Sequence, residues 1–142
     1  MGIWPIQPVK PLELDWRYEG AVSRVKRQGR CGACWAIAAA GALEGASAIQ
    51  TKKLVELSEQ QILDCASMNP FRSGKCDGGY ISEALRYGQT TLIATRDNYP
   101  YLGFNNTCRK ISEEDLVGFK DLPKIQSTTQ FKSLVEFWTQ YF

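Results

Sequence analysis

The hydrophobic and polar positions fall into several short stretches of helical period, separated by turn-rich segments. Residues 35–50 (WAIAAAGALEGASAIQ) are small and apolar almost throughout, with Gly41 and Gly45 four apart. Alanine is the strongest helix former, and small side chains admit close approach of another element. The pattern therefore predicts a buried helix from about Cys34 to Gln50. Ser58-Glu59-Gln60-Gln61 has the S-x-x-Q form of a capping box ahead of Ile62 and Leu63, which predicts a short helix ending near Cys65. A third helix is predicted over about Ile81 to Gln89, with Ala84, Leu85 and Tyr87 inward. Phe131, Leu134, Val135 and Trp138 recur at helical spacing, so a C-terminal helix is expected, with no capping signal at its end. Leu116 to Lys120 is a candidate strand. Between these lie an extended arm at the N-terminus, with three prolines in residues 1–13, and a short anchored segment at Asp15-Trp16-Arg17 turning at Glu19-Gly20. Residues 21–33, 66–79 and 95–110 read as loop, the last including Tyr99-Pro100-Tyr101. There is no internal repeat and no low-complexity tract.

Composition narrows the class. The chain has 142 residues, 44% hydrophobic and 23% charged, which suits one globular domain. The formal net charge of +2 excludes a binder of nucleic acid or anionic membrane driven by electrostatics, because such binding needs a clustered excess of Lys and Arg. No apolar run approaches the length of a transmembrane helix. The decisive counts are five Cys and no His. A mechanism that needs an imidazole base, or a His metal ligand, cannot be completed by these residues alone.

The cysteines stand at 31, 34, 65, 76 and 108. An odd number reads as two bridges and one free thiol, and once the free one is chosen three pairings remain open. Cys31 and Cys34 look like half of a zinc knuckle, but the other half is missing. A thioredoxin-like pair is expected in a chain otherwise poor in cysteine. No metal and no cofactor is therefore expected. Disulfides imply an oxidising compartment, and Asn105-Asn106-Thr107 is a glycosylation sequon that agrees. Residues 1–9 lack the basic start and apolar length of a signal peptide. The mature form is expected to have been trimmed, and its place to be the secretory pathway, lysosomal or vacuolar, or extracellular.

The chemistry concentrates in Gln28-Gly29-Arg30-Cys31-Gly32-Ala33-Cys34-Trp35. If the helix starts at Cys34, its sulfur sits where unpaired N–H groups and the positive dipole end converge, and a thiolate is stabilised there. Gly29 and Gly32 allow unusual backbone angles and close approach of a substrate chain. Gln28 offers an amide donor. The Cys34 N–H and the Gln28 NH2 together suit the oxygen of a tetrahedral intermediate, where losing one donor raises the barrier by about 2.7–4 kcal/mol. The plainer alternative is an inert thiol at a helix start and an ordinary loop glutamine. Asp77-Gly78-Gly79 after Cys76 reads either as a turn before a helix or as a strip that pairs with an extended peptide. Glu44 and Glu59 read as solvated helix positions more readily than as buried anchors.

At this point the sequence resembles the papain-like cysteine peptidases, the cathepsin L-like branch in particular. The signature C-G-[SA]-C-[WY] around that family's nucleophile stands here as Cys31-Gly32-Ala33-Cys34-Trp35. Asp15-Trp16-Arg17, Gly20-Ala21-Val22 and Val25-Lys26 resemble the start of the mature enzyme, and Gln28-Gly29 its oxyanion segment. Leu57-Ser58-Glu59-Gln60 with Leu63-Asp64-Cys65, Cys76-Asp77-Gly78-Gly79-Tyr80, Tyr99-Pro100-Tyr101 and Cys108 continue the series in order. The resemblance covers roughly residues 11–142, after an arm over 1–10. It implies an α+β papain-like fold, mainly the helical left lobe on a long helix starting at Cys34. Cys34 is then the nucleophile and Gln28 the oxyanion donor. Gly32, Trp35, Asp77, Gly78 and Gly79 would bind substrate, with Tyr80 and Ile81 bordering a side-chain pocket. It also implies bridges Cys31–Cys76 and Cys65–Cys108, with Cys34 free, and a polypeptide as substrate.

There are departures. Positions 36–40 read Ala-Ile-Ala-Ala-Ala, where the family has an aromatic and a serine soon after the Trp. Asp77 stands where the family often has Asn, and its charge would favour a basic substrate side chain. The family's His and Asn lie about 130–150 residues after the nucleophile, beyond Phe142. The β-rich right lobe that carries them is therefore expected to be largely absent from these residues, and a second chain or C-terminal half to supply it. Three readings follow: one portion of an active cysteine endopeptidase, an inactive relative serving as a structural or binding subunit, or a disulfide-stapled structural domain. In each, the 142 residues alone are expected to hydrolyse no peptide.

Overall fold

In the computed structural model, residues 13–68 and 70–117 are described. The proline-rich arm and the C-terminal helix expected around Phe131–Trp138 lie outside them. The element order is helix α1 (Cys34–Thr51), helix α2 (Glu59–Cys65), a 3-10 turn (Lys75–Asp77), helix α3 (Ile81–Thr90), strand β1 (Ile93–Ala94), a second 3-10 turn (Glu113–Asp115) and strand β2 (Leu116–Val117). The two strands pair antiparallel, Ile93 opposite Val117 and Ala94 opposite Leu116. A single bridge joins Leu57 to Thr95. Strand β2 is the start of the strand expected at 116–120; residues 118–120 lie outside the described residues.

Helix α1 forms on an inner face half of which is alanine. Trp35, Ala36, Ala39, Ala40, Leu43, Glu44, Ser47 and Ala48 are buried along it. Small residues there bring α3 close: a Cβ on Gly88 of α3 would stand 2.5 Å from Leu43 Cδ1. The helix ends at Lys52, whose left-handed backbone (φ 60°) lets its N–H reach Ala48 O. Helix α3 buries Ala84, Leu85 and Tyr87, the inward residues expected from its spacing, and Gly88 as well.

Helix α2 is short, yet all seven of its residues are buried, four of them polar. Ser58 caps it, accepting from the Gln61 N–H at 2.9 Å. The reciprocal half of the capping box is not made. Gln61 turns inward, donating to Tyr87 Oη and Leu92 O, both at 3.1 Å, and accepting from Ala94 N–H at 2.6 Å; the Ser58 N–H goes to Ala94 O instead. Gln60 donates to Asp64 Oδ1 and Phe104 O, and accepts from Leu102 N–H. Asp64 accepts from Tyr99 Oη at 2.8 Å and Asn106 N–H at 3.2 Å. The polar side chains of one helix thus satisfy the backbone of the irregular chain around it, which is how long loops lie against a core without unpaired groups.

Glu44 and Glu59 are buried, against the solvated reading. Lys26 Nζ lies 2.5 Å from Glu44 Oε1 and 3.2 Å from Glu59 Oε1, and its side chain is only 5% exposed. Glu44 also accepts from Ser23 Oγ and the Leu57 N–H. The Glu59 oxygens make no geometric hydrogen bond, and their compensation is ionic, from Lys26 and from Arg96 at 3.5 Å. An ion cluster of this kind ties the 21–33 segment to both α1 and α2. The bridges are Cys31–Cys76 and Cys65–Cys108, 45 and 43 residues apart, each worth about 4 kcal/mol in the chain-entropy account.

Candidate active site

Cys34 is the first residue of α1, free and exposed. Ala33 before it provides no side-chain cap. The N–H groups of Cys34 and Trp35 meet no backbone carbonyl among the described residues. The sulfur therefore sits at the positive end of an 18-residue helix with open donors around it, a favourable place for negative charge. Trp35, the next residue, points the other way and is buried.

The strip at 76–80 is fastened beside this helix end three times. The Cys31–Cys76 bridge holds it covalently. Gly32 N–H donates to Cys76 O at 2.9 Å, and Trp35 Nε1 donates to Lys75 O at 3.1 Å. The contacts are too close for side chains: a Cβ on Gly32 would lie 2.5 Å from Cys76 O, and one on Gly79 would lie 2.5 Å from the Trp35 ring and 3.0 Å from Ser73 Cβ. The turn reading of Asp77-Gly78-Gly79 holds in part: Lys75–Asp77 is a turn, and Gly78 closes it, donating to Lys75 O and accepting from Gly74 N–H. The N–H and C=O of Gly79 have no backbone partner among the described residues. Asp77 is exposed, and Tyr80 and Ile81 are 69% and 47% exposed at the start of α3.

Gln28 is half-buried six residues before Cys34, and Gly29 after it takes a positive φ of 66°. Its main-chain oxygen accepts from Tyr101 Oη at 2.8 Å. Its side-chain amide makes no hydrogen bond among the described residues, which leaves it available. Asn105, the sequon residue, is exposed and uses Oδ1 to accept from the Cys76 N–H at 2.9 Å. Lys75 holds a left-handed backbone (φ 56°) and donates from Nζ to Asn106 O at 2.6 Å. Sequence reading noted Tyr101 only as part of a loop motif and gave Lys75 no role. Nothing local marks either one, because their partners lie 73 and 31 residues away.

The family model described as "Papain family cysteine protease" matches residues 10–137. The chain belongs to the papain family of cysteine proteases. It is 43% identical over 122 residues to "Probable cysteine protease RD19C" of Arabidopsis thaliana, covering 80% of this chain and 32% of that protein. It is 48% identical over 99 residues to caricain of Carica papaya, covering 70% and 27%. Among solved structures, the proform of the ragweed pollen cysteine protease Amb a 11 superposes with a TM-score of 0.66 at 46% identity, covering 73% of this chain and 31% of that one. This papain-family chain therefore spans about a third of the length of the relatives it matches. Its described residues have the papain-like fold, with the two bridges the resemblance implied.

Proposed function

We propose that the chain is the nucleophile-bearing portion of a cysteine-type peptidase, acting on polypeptides through an acyl-enzyme. The observation that carries this is Cys34: a free, exposed sulfur at the start of α1, with a bridged glycine strip fixed beside it. The Cys34 thiolate attacks the scissile carbonyl carbon, and the carbonyl oxygen becomes the oxyanion, held by the Cys34 N–H and the Gln28 side chain. As the tetrahedral intermediate collapses, the C–N bond breaks and the leaving amine takes a proton. Water then attacks the thioester, releasing the acid and restoring the sulfur. The proton carrier is an imidazole from outside these 142 residues, which contain no histidine, together with the Asn that orients it. Gly79 pairs with the substrate backbone. Gly32, Trp35 and Gly78 shape the strip, and Tyr80 and Ile81 border a side-chain pocket. Asp77 forms no ion pair among the described residues, so its charge favours basic peptides. Equal low-salt affinity for basic and acidic peptides removes that part. The two bridges support an oxidising secretory compartment, and the Asn105 Nδ2, with no hydrogen bond among the described residues, is the atom that would carry a glycan.

A second reading is a papain-family subunit that binds without cleaving. One experiment separates the two. The 142-residue chain is treated with iodoacetamide, and assayed on fluorogenic peptides alone and with a polypeptide bearing the His and Asn half. We expect alkylation at Cys34 alone, no turnover by the isolated chain, and turnover on assembly. Turnover by the isolated chain overturns the external base, and failure to label Cys34 overturns the nucleophile. Labelling without turnover on assembly establishes the binding subunit instead.

A further inference from the structure

Tyr101 Oη donates to Gln28 O across 2.8 Å and joins segments 73 residues apart. Both ends of this contact are held. On one side, Gln60 Oε1 accepts from Leu102 N–H at 2.9 Å and from Gly103 N–H at 3.4 Å, and Gln60 is itself fully buried. The Tyr101 side chain packs against the core. On the other side, Lys26 is anchored in the Glu44–Glu59 cluster and Cys31 is bridged to Cys76. Between those two anchors the Tyr101 hydroxyl is the contact made at Gln28 itself. The side-chain amide of Gln28 has no hydrogen-bond partner among the described residues, so the hold on this residue there comes through its main chain.

We propose that Tyr101 is a positioning residue for the oxyanion hole: its hydroxyl fixes the Gln28 main chain and so aims the Gln28 amide at the oxygen of the tetrahedral intermediate. This rests on the reading of Cys34 and Gln28 given above. The phenol remains a donor well into the alkaline range. Burial raises its pKa above the ordinary 10.0, the negative charge of Glu59 adds to the rise, and Arg96 opposes it.

Tyr101→Phe removes the one hydroxyl and keeps the ring. With the enzyme assembled with its His-bearing half, we expect kcat to fall about tenfold with KM within twofold, a part of the hundredfold or more that a lost oxyanion donor costs. In a Gln28→Ala background the same substitution adds less than twofold. Independently of turnover, backbone 15N order parameters over residues 27–30 should fall from about 0.85 to below about 0.6 while those of α1 and α2 are kept. An unchanged kcat, an equal loss in the Gln28→Ala background, or unchanged order parameters at 27–30 overturns the proposal. A Gln28→Ala enzyme with full kcat overturns the oxyanion reading beneath it, whereas a crippled Gln28→Ala enzyme beside a normal Tyr101→Phe one overturns only the role of Tyr101. If the assembled wild type shows no turnover, the order parameters decide, and unchanged values overturn the proposal.

Discussion

Lys26→Met tests how the N-terminal segment is held to the helices. The buried cluster contains two cations, Lys26 and Arg96, and two carboxylates, Glu44 and Glu59. The substitution keeps most of the side-chain volume and leaves two carboxylates facing one guanidinium. At an effective dielectric near 20, attractions across 2.5 Å and 3.2 Å are about 7 and 5 kcal/mol. Most of that offsets the cost of taking the ammonium out of water. Removing one partner of a buried pair typically leaves a net loss of about 3–5 kcal/mol. We therefore expect a loss of about 3–5 kcal/mol in urea unfolding of the disulfide-intact protein, or roughly 10–15 °C in Tm for a domain of this size. Lys53→Met, on an exposed residue, should change stability by less than about 0.5 kcal/mol. In the double variant Lys26→Met/Glu44→Gln the losses should be smaller than the sum of the singles, because the second change removes a carboxylate the first had stranded. A loss below about 1 kcal/mol for Lys26→Met would show that the cluster is not what anchors residues 21–33.

Tyr99→Phe removes the hydroxyl that reaches Asp64 Oδ2 at 2.8 Å in the interior; we expect a loss of about 1–3 kcal/mol in denaturant unfolding, and no loss would mean that water takes its place. Gly79→Ala sets a Cβ 2.5 Å from the Trp35 ring. It should displace the strip and raise KM at least tenfold for peptide substrates, with Cys34 alkylation kept within a factor of about two; an unchanged KM refutes the pairing role of Gly79. The Asp15 carboxyl is held down to about 2 from 3.8 by its hydrogen bonds from Arg17. Because the folded value lies below the unfolded one, its stabilising share is present above about pH 4 and fades as the pH falls towards 2. A carboxyl-detected NMR titration should place Asp15 near 2 and return it towards 3.8 in Arg17→Gln, and a titration left near 2 in that variant refutes the pairing.

The helices were legible because their signals are local. The alanine run gives α1 from Cys34 to Thr51, one residue longer than expected, and α3 likewise runs to Thr90 instead of Gln89. The cap at Ser58 was legible too, but not its partner: Gln61 fits the local box, yet the buried N–H of Ala94 and the carbonyl of Leu92 compete for its amide and win. Strand β1 has two residues and so no period to read. Glu44 and Glu59 looked like surface positions because acidic residues usually are, and only the arrival of Lys26 and Arg96 from elsewhere in the chain makes them interior ones. The candidate site shows the same division. Cys34 and its neighbours announce themselves in one octapeptide. The braces at Tyr101, Lys75 and Asn105 come from loops that contact the site only after folding.

Helix α2 makes the enclosing loops intolerant of changes in length. Its two glutamines read carbonyls and amides at 92, 94, 102, 103 and 104, much as a gauge reads spacing along a part. One residue inserted between 94 and 102 would shift that register and strand several buried groups together. Insertions should therefore fail in that loop, although nothing in its irregular sequence announces the constraint.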